Sequence, residues 1–153
     1  MAVSVLFVCL GNICRSPAAE AIALRLAPEY PEVGKIDSAG IGNWHVGDPP
    51  DPRMIRAAAG FGLDLRPLRG RQVERADFRE FDLIVAMDAE NLADLRDLRP
   101  TTARAKVVPM ANWTGRDVPD PYSGGPEGFD RVLVLLEAGV RALFDAIRSG
   151  EAP

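Results

Sequence analysis

The stretch Val3-Ser-Val-Leu-Phe-Val-Cys9-Leu-Gly-Asn-Ile-Cys-Arg-Ser16-Pro17 runs from an apolar segment, through a tight bend, into a helical pattern opening at Pro17. A loop that curls around a tetrahedral anion turns its backbone N–H groups inward, and this requires a left-handed conformation that glycine and asparagine tolerate. Gly11 and Asn12 supply those residue types inside the bend. The inward N–H groups across Leu10, Gly11, Asn12, Ile13, Cys14 and Ser16 make a concave anion site, to which the following helix adds its free first-turn donors and positive dipole end. Arg15 completes the cradle, because its planar fork matches two phosphate oxygens at once and an ammonium does not. The same field favours a thiolate at Cys9, which becomes a nucleophile at the base of the cradle. Ser16 reads as the helix N-cap hydroxyl, with Pro17 at the first helical position, where its missing N–H costs nothing. Alone, a cysteine at a strand end reads equally as a small buried hydrophobe; the strand-loop-helix setting around Gly11-Asn12 favours the phosphate site.

Length and composition agree with an ordinary folded chain. The 153 residues suit one domain, 1–153, with a substantial core. A hydrophobic content of 47% and a charged content of 26% exclude a largely disordered chain. The net charge of -4 gives no electrostatic reason to expect nucleic acid or an anionic membrane as partner. The first apolar run is too short, and lacks the basic flank, for a secretion signal, and no stretch approaches the roughly 18 residues of a membrane span, so a cytoplasmic protein is expected. Both cysteines lie in the bend, which argues against a disulfide framework, and the single histidine, His45, leaves no zinc set.

Strand and helix patterns alternate. Continuous apolar runs at Val3 to Val8 and Asp82 to Ala86, with shorter ones at Lys35 to Ser38 and Lys106 to Val108, predict strands. Helices are expected over Pro17 to Leu26, Pro52 to Gly60, Ala89 to Leu98 and Gly128 to Arg148, the last with Val132, Leu135, Leu136, Gly139, Leu143 and Ile147 on one stripe. This alternation predicts an α/β fold in three layers, a parallel sheet with helices on both faces. Gly40 to Pro52 and Pro109 to Pro126 are long Gly- and Pro-rich loops, and loops of that length are commonly functional.

Those loops hold the remaining candidate chemistry. Expelling an oxygen leaving group from phosphorus needs a proton, and Val118-Pro-Asp-Pro-Tyr122 offers the Asp120 carboxyl between two prolines; the alternative is a simple turn. Trp44 and Tyr122 read either as aromatic walls around a substrate ring or as anchors of their loops. His45 lies on a surface loop without an orienting partner in sequence, so a Cys-His acyl hydrolase is disfavoured.

Cys9-Leu-Gly-Asn-Ile-Cys-Arg-Ser-Pro-Ala-Ala-Glu20 resembles the signature loop of the low-molecular-weight protein tyrosine phosphatases. The likeness extends along the chain through Asp37-Ser-Ala-Gly40, Asn43-Trp-His-Val-Gly47, Asp51-Pro-Arg53, Arg71-Gln72, Met87-Asp88 and Asp120-Pro-Tyr122, in that family's order. The resemblance implies a four-stranded parallel sheet of order 2-1-3-4 with the phosphate-binding loop after strand 1, at the topological switch point where ligands bind. It also implies that Asn12, Ser16 and Ser38 brace the loop. Two departures stand out: Leu68 occupies the position of a bracing histidine found in many relatives, and Ser123 follows Tyr122 where another aromatic is common. Asp88 matches a family aspartate, and reads equally as a helix cap.

The expected activity is hydrolysis of phosphotyrosine and small aryl phosphates through a phosphocysteine at Cys9, with Arg15 stabilising the transferring group, Asp120 as acid and then base, and no cofactor. Phosphate and vanadate are expected to bind as inhibitors. Cys14 reads as a redox partner of Cys9 or as simple packing beneath the loop. Three rivals remain. A protein arginine phosphatase resembles this chain, but that subclass typically has threonine where Ile13 stands; an arsenate reductase needs further cysteines as a relay; and a silent phosphoprotein-binding module would not need Cys9, Arg15 and Asp120 together.

Overall fold

The computed structural model describes residues 2–152; Met1 and Pro153, the ends of the expected domain, lie outside the described residues. Four strands, β1 (Val3–Cys9), β2 (Val33–Gly40), β3 (Leu83–Ala86) and β4 (Lys106–Pro109), form one parallel sheet in the order β2-β1-β3-β4. The register aligns Phe7 with Ser38 and Val85, and Cys9 with Gly40, so the first strand delivers its cysteine at the carboxyl edge of the sheet. Among the described residues six α-helices connect and cover the strands: α1 (Arg15–Leu26), α2 (Pro52–Gly60), α3 (Asp77–Glu80), α4 (Ala89–Leu98), α5 (Ala111–Thr114) and α6 (Pro126–Ser149).

Period-two alternation in the central strands builds two cores. Val5, Phe7, Leu83 and Val85 face the larger one, with Ile22 of α1, Met54 of α2 and Phe129, Leu136, Val140 and Phe144 of α6. Leu6, Val8, Ile84 and Ala86 face the other, against Phe78 of α3, Phe81 and Leu95 of α4. Both faces of the central strands are therefore dry, which is why their sequences read as unbroken apolar runs.

The expected architecture and strand order are present, with shifts at the ends. Strand β2 is longer than Lys35 to Ser38, and Asp82 falls outside β3, where its carboxylate instead accepts the Ser4 N–H at 2.8 Å. Helix α6 begins at Pro126, two residues before the expected start, because proline suits a first turn. Leu68 is partly buried against the larger core. A single parallel bridge between Gly40 and Gln72 extends the sheet edge beyond β2 and brings Arg71 beside the loop that follows β1.

Candidate active site

Residues 10–14 bend sharply between Cys9 and α1. Within this bend Asn12 has a φ of 59°, the left-handed conformation expected there, whereas Gly11 does not share it. Gly11 is limited by space: a Cβ on it would lie 3.2 Å from the His45 ring. Gly40 is likewise required where β2 passes beneath the bend, since a Cβ there would lie 3.0 Å from the Leu10 carbonyl oxygen and 3.1 Å from Asn12 Cβ.

The helix does not start as expected from the proline. It begins at Arg15, and Cys14, the residue before it, makes no side-chain cap. Ser16 is thereby inside the first turn and fully buried, and its hydroxyl lies 3.0 Å from Cys9 Sγ. Asn12 Nδ2 donates to Ser16 Oγ at 2.8 Å, which leaves the serine hydrogen for Cys9 Sγ or for the Ala39 carbonyl 3.4 Å away. The Asn12 backbone N–H donates to the same Sγ at 3.3 Å. The Ser16 hydroxyl and the Asn12 N–H thus converge on Cys9 Sγ.

Beneath the bend the polar groups form a directed chain. Asn12 Oδ1 accepts the Arg71 N–H at 3.0 Å, its Nδ2 also donates to Ser38 Oγ at 3.0 Å, and Ser38 donates to Glu20 Oε1 at 2.5 Å. Arg71 is itself gripped by Asp77 through both Nη atoms at 3.0 Å and by Asp37 through Nε at 3.1 Å. Burial raises the Glu20 carboxyl above its ordinary range, working against the Ser38 hydrogen bond. Asn12 and Ser16, expected among the phosphate-binding residues, turn their side chains to this buried layer; they shape the cradle from below.

Arg15 is 2% exposed and is anchored through one of its terminal nitrogens. Its Nη1 donates to Asp88 Oδ2 at 2.7 Å and to the Val118 carbonyl at 3.0 Å, and Nη2 lies 3.7 Å from Asp120 Oδ2. Burial opposes its charge, but Cys9, Asp88 and Asp120 outweigh that and hold the guanidinium above its ordinary range. Asp88 fulfils both readings left open by the sequence, because its Oδ1 accepts the Asn91 N–H at 2.8 Å and caps α4.

The loop carrying Asp120 is docked on the sheet edge by Val118 N–H to Met87 O at 2.8 Å and by the Ala89 N–H to Asp117 Oδ2 at 3.2 Å. Asp120 Oδ1 accepts the Tyr122 N–H at 3.1 Å. A cavity of about 210 Å³ is bounded by Cys9, Leu10, Gly11, Ile13, Cys14 and Arg15 below, and by Trp44, His45, Asp120 and Tyr122 around its mouth. Trp44 is 67% exposed and Tyr122 52%, so neither ring is buried in the core. His45 bonds to Asp48 at 3.2 Å, and the hydrogen bonds to Cys9 come from Ser16 and Asn12. Ser123 is exposed beside Tyr122.

The sequence singles out Cys9, Arg15, Asp120, Trp44, Tyr122 and the loop residues, and the fold gathers them at one cavity except for Asn12 and Ser16, which lie beneath it. Sequence reasoning missed the assembly of Glu20 and Arg71 under the loop and the grip of Asp51 on Arg53. Glu20 lies four residues after Ser16 on one helix face, a spacing that signalled a buried polar stripe.

A thiol held by converging donors, a buried arginine and a carboxyl at the mouth, all on the carboxyl edge of a parallel sheet, define a cysteine-based phosphomonoester hydrolase. Residues 4–152 match the model of the family described as low molecular weight phosphotyrosine protein phosphatase. The low molecular weight protein-tyrosine-phosphatase YfkJ of Bacillus subtilis is 41% identical over 152 residues, covering 95% of this chain and 96% of that protein. A crystal structure of a protein tyrosine phosphatase from Entamoeba histolytica with Hepes in the active site superposes with a TM-score of 0.90 at 37% identity, over 98% of this chain and 99% of that one. The Drosophila arginine phosphatase DARP superposes with a TM-score of 0.84 at 32% identity, over 92% and 95%. The chain belongs to the low molecular weight phosphotyrosine protein phosphatase family.

Proposed function

We propose that the chain, acting as one catalytic unit over 1–153, hydrolyses phosphotyrosine in protein substrates through a phosphocysteine intermediate. One observation carries this reading: Cys9, Arg15 and Asp120 border a single cavity whose mouth is flanked by two exposed aromatic rings. Cys9 thiolate attacks phosphorus in line while loop N–H groups and Arg15 hold the equatorial oxygens. Asp120 gives its proton to the leaving phenolic oxygen. As a carboxylate it then takes a proton from water, which attacks phosphorus, releases phosphate and restores the thiolate. Inorganic phosphate and vanadate occupy the same cradle as inhibitors.

Trp44 and Tyr122 suit a planar ring between them and favour the reach of tyrosine over the shorter serine. A nucleophilic thiol also has to stay reduced, which supports a cytoplasmic site of action. The structural likeness to an arginine phosphatase keeps phosphoarginine as a second substrate to be measured. Against it, Ile13 puts a branched apolar side chain on the cavity floor.

A panel of phosphotyrosine, phosphoserine and phosphoarginine peptides, with arsenate alongside, tests the proposal. Turnover of phosphotyrosine well above the others is expected. Preference for phosphoarginine, or arsenate reduction without phosphatase activity, would overturn it.

A further inference from the structure

Arg53 stands outside the reacting groups, yet it is tied to two of the elements that aim them. Asp51 caps α2 by accepting the Arg53 N–H at 2.8 Å, and its carboxylate grips the same residue's guanidinium, Oδ1 from Nε at 3.1 Å and Oδ2 from Nη2 at 2.8 Å. The Asp51 N–H donates in turn to the Ile13 carbonyl of the phosphate loop at 2.8 Å. On its other side the gripped guanidinium stacks over two aromatic rings, with its carbon 5.2 Å from the Tyr122 centroid and 4.8 Å from that of Phe129. Phe129 is fully buried in α6, whereas residues 122–127 are exposed.

That exposed segment is Tyr-Ser-Gly-Gly-Pro-Glu, and glycine-rich chain without buried side chains is conformationally loose. Asp120 depends on it, because its Oδ1 accepts the Tyr122 N–H. We infer that Arg53 is a positioning residue for the proton-transfer step: held planar by Asp51 and stacked on Tyr122, it fixes the limb carrying Asp120 relative to the cradle. This rests on Asp120 being the general acid. Arginine is suited to the task because a flat guanidinium satisfies a carboxylate along its edge and an aromatic ring across its face together, which lysine does not. With Nε and Nη2 committed to Asp51, Arg53 acts through the limb rather than as a phosphate ligand.

The test compares Arg53→Gln, and Arg53→Lys as the variant that keeps cation and stem, with the parent protein and with the same changes in Asp120→Ala. The readouts are kcat/KM for nitrophenyl phosphate and for phenyl phosphate, and competitive inhibition by inorganic phosphate. A positioning role predicts a fall of about tenfold or more on phenyl phosphate, a change under about threefold on nitrophenyl phosphate, unchanged phosphate inhibition, and no added loss in Asp120→Ala. Arg53→Lys should show the same pattern at smaller size. Equal losses on both substrates, weakened phosphate inhibition, or a further loss in Asp120→Ala would overturn the inference. If Asp120→Ala alone shows no dependence on the leaving group, the acid assignment itself fails, and that outcome is read separately.

Discussion

Arg15 Nη1 and Asp88 Oδ2 lie 2.7 Å apart, joining the buried arginine of the phosphate cradle to the residue that caps α4. One carboxylate thus aims the guanidinium with one oxygen and closes a helix with the other. Asn caps a helix as well as Asp does, so Asp88→Asn separates these roles. Activity on phosphotyrosine is expected to fall about 10- to 100-fold with little change in melting temperature. Asp88→Ala should add a loss of roughly 0.5–2 kcal/mol in stability, read by denaturant unfolding.

Asp120→Ala removes the proposed proton donor but leaves the cradle. The kcat/KM for phenyl phosphate, which reports the first step, should fall by about 10² to 10⁴, with a much smaller effect for nitrophenyl phosphate, whose leaving group needs no proton. A steady-state series across phenols of graded acidity measures this. A uniform loss in kcat/KM would assign Asp120 to structure and direct attention to Asp117 and Asp130.

Much of this arrangement is legible in the sequence, and the reasons are physical. Local patterns carried it: Val3 to Val8 as a strand buried on both faces, Cys9 to Arg15 as a bend with donors, Pro-Asp-Pro as a stiff carboxyl holder. What escaped depends on residues far apart in sequence. Arg71 meets Asn12 only because Gly40 and Gln72 bridge across the sheet edge, and Arg53 meets Tyr122 only because α2 and α6 pack together. Ser16 was misjudged as a cap because a Ser-Pro pair looks like a helix start. The bend needs the first turn two residues earlier, at Arg15, so that the serine faces sulfur.

Glu20 makes a prediction about pH. Its folded carboxyl is held above the ordinary value of 4.5, chiefly by burial, so the native state binds this proton more tightly than the unfolded chain does. Its contribution is therefore full below the ordinary value and is lost as pH rises through the raised one. Glu20→Gln keeps an acceptor for Ser38 and abolishes the titration. Its melting temperature should exceed the parent's at neutral pH and depend less on pH from about 4.5 upward, as thermal unfolding across a pH series will show.

Cys9 and Cys14 are both free thiols in one bend. Peroxide should inactivate the enzyme by oxidising Cys9 to a sulfenic acid; attack by Cys14 then forms a disulfide and expels water, and a dithiol reverses it. Burial, and next the Asp51 carboxylate, push the Cys14 thiol well above its usual range, so link formation should quicken as pH rises. Peptide mapping after peroxide should find the linked pair. Cys14→Ser should lose recovery; full recovery in that variant would leave Cys14 a packing residue only.

The proposed mechanism turns on a covalent step at Cys9. Acid quenching during turnover of a phosphotyrosine peptide, followed by mapping of the phosphorylated fragment, observes it directly. The account predicts a phosphoryl group on Cys9 that forms within the first turnover, decays as phosphate is released, and is absent from Cys9→Ser, which still binds phosphate. Phosphate found on another residue, or hydrolysis that persists in Cys9→Ser, would contradict it.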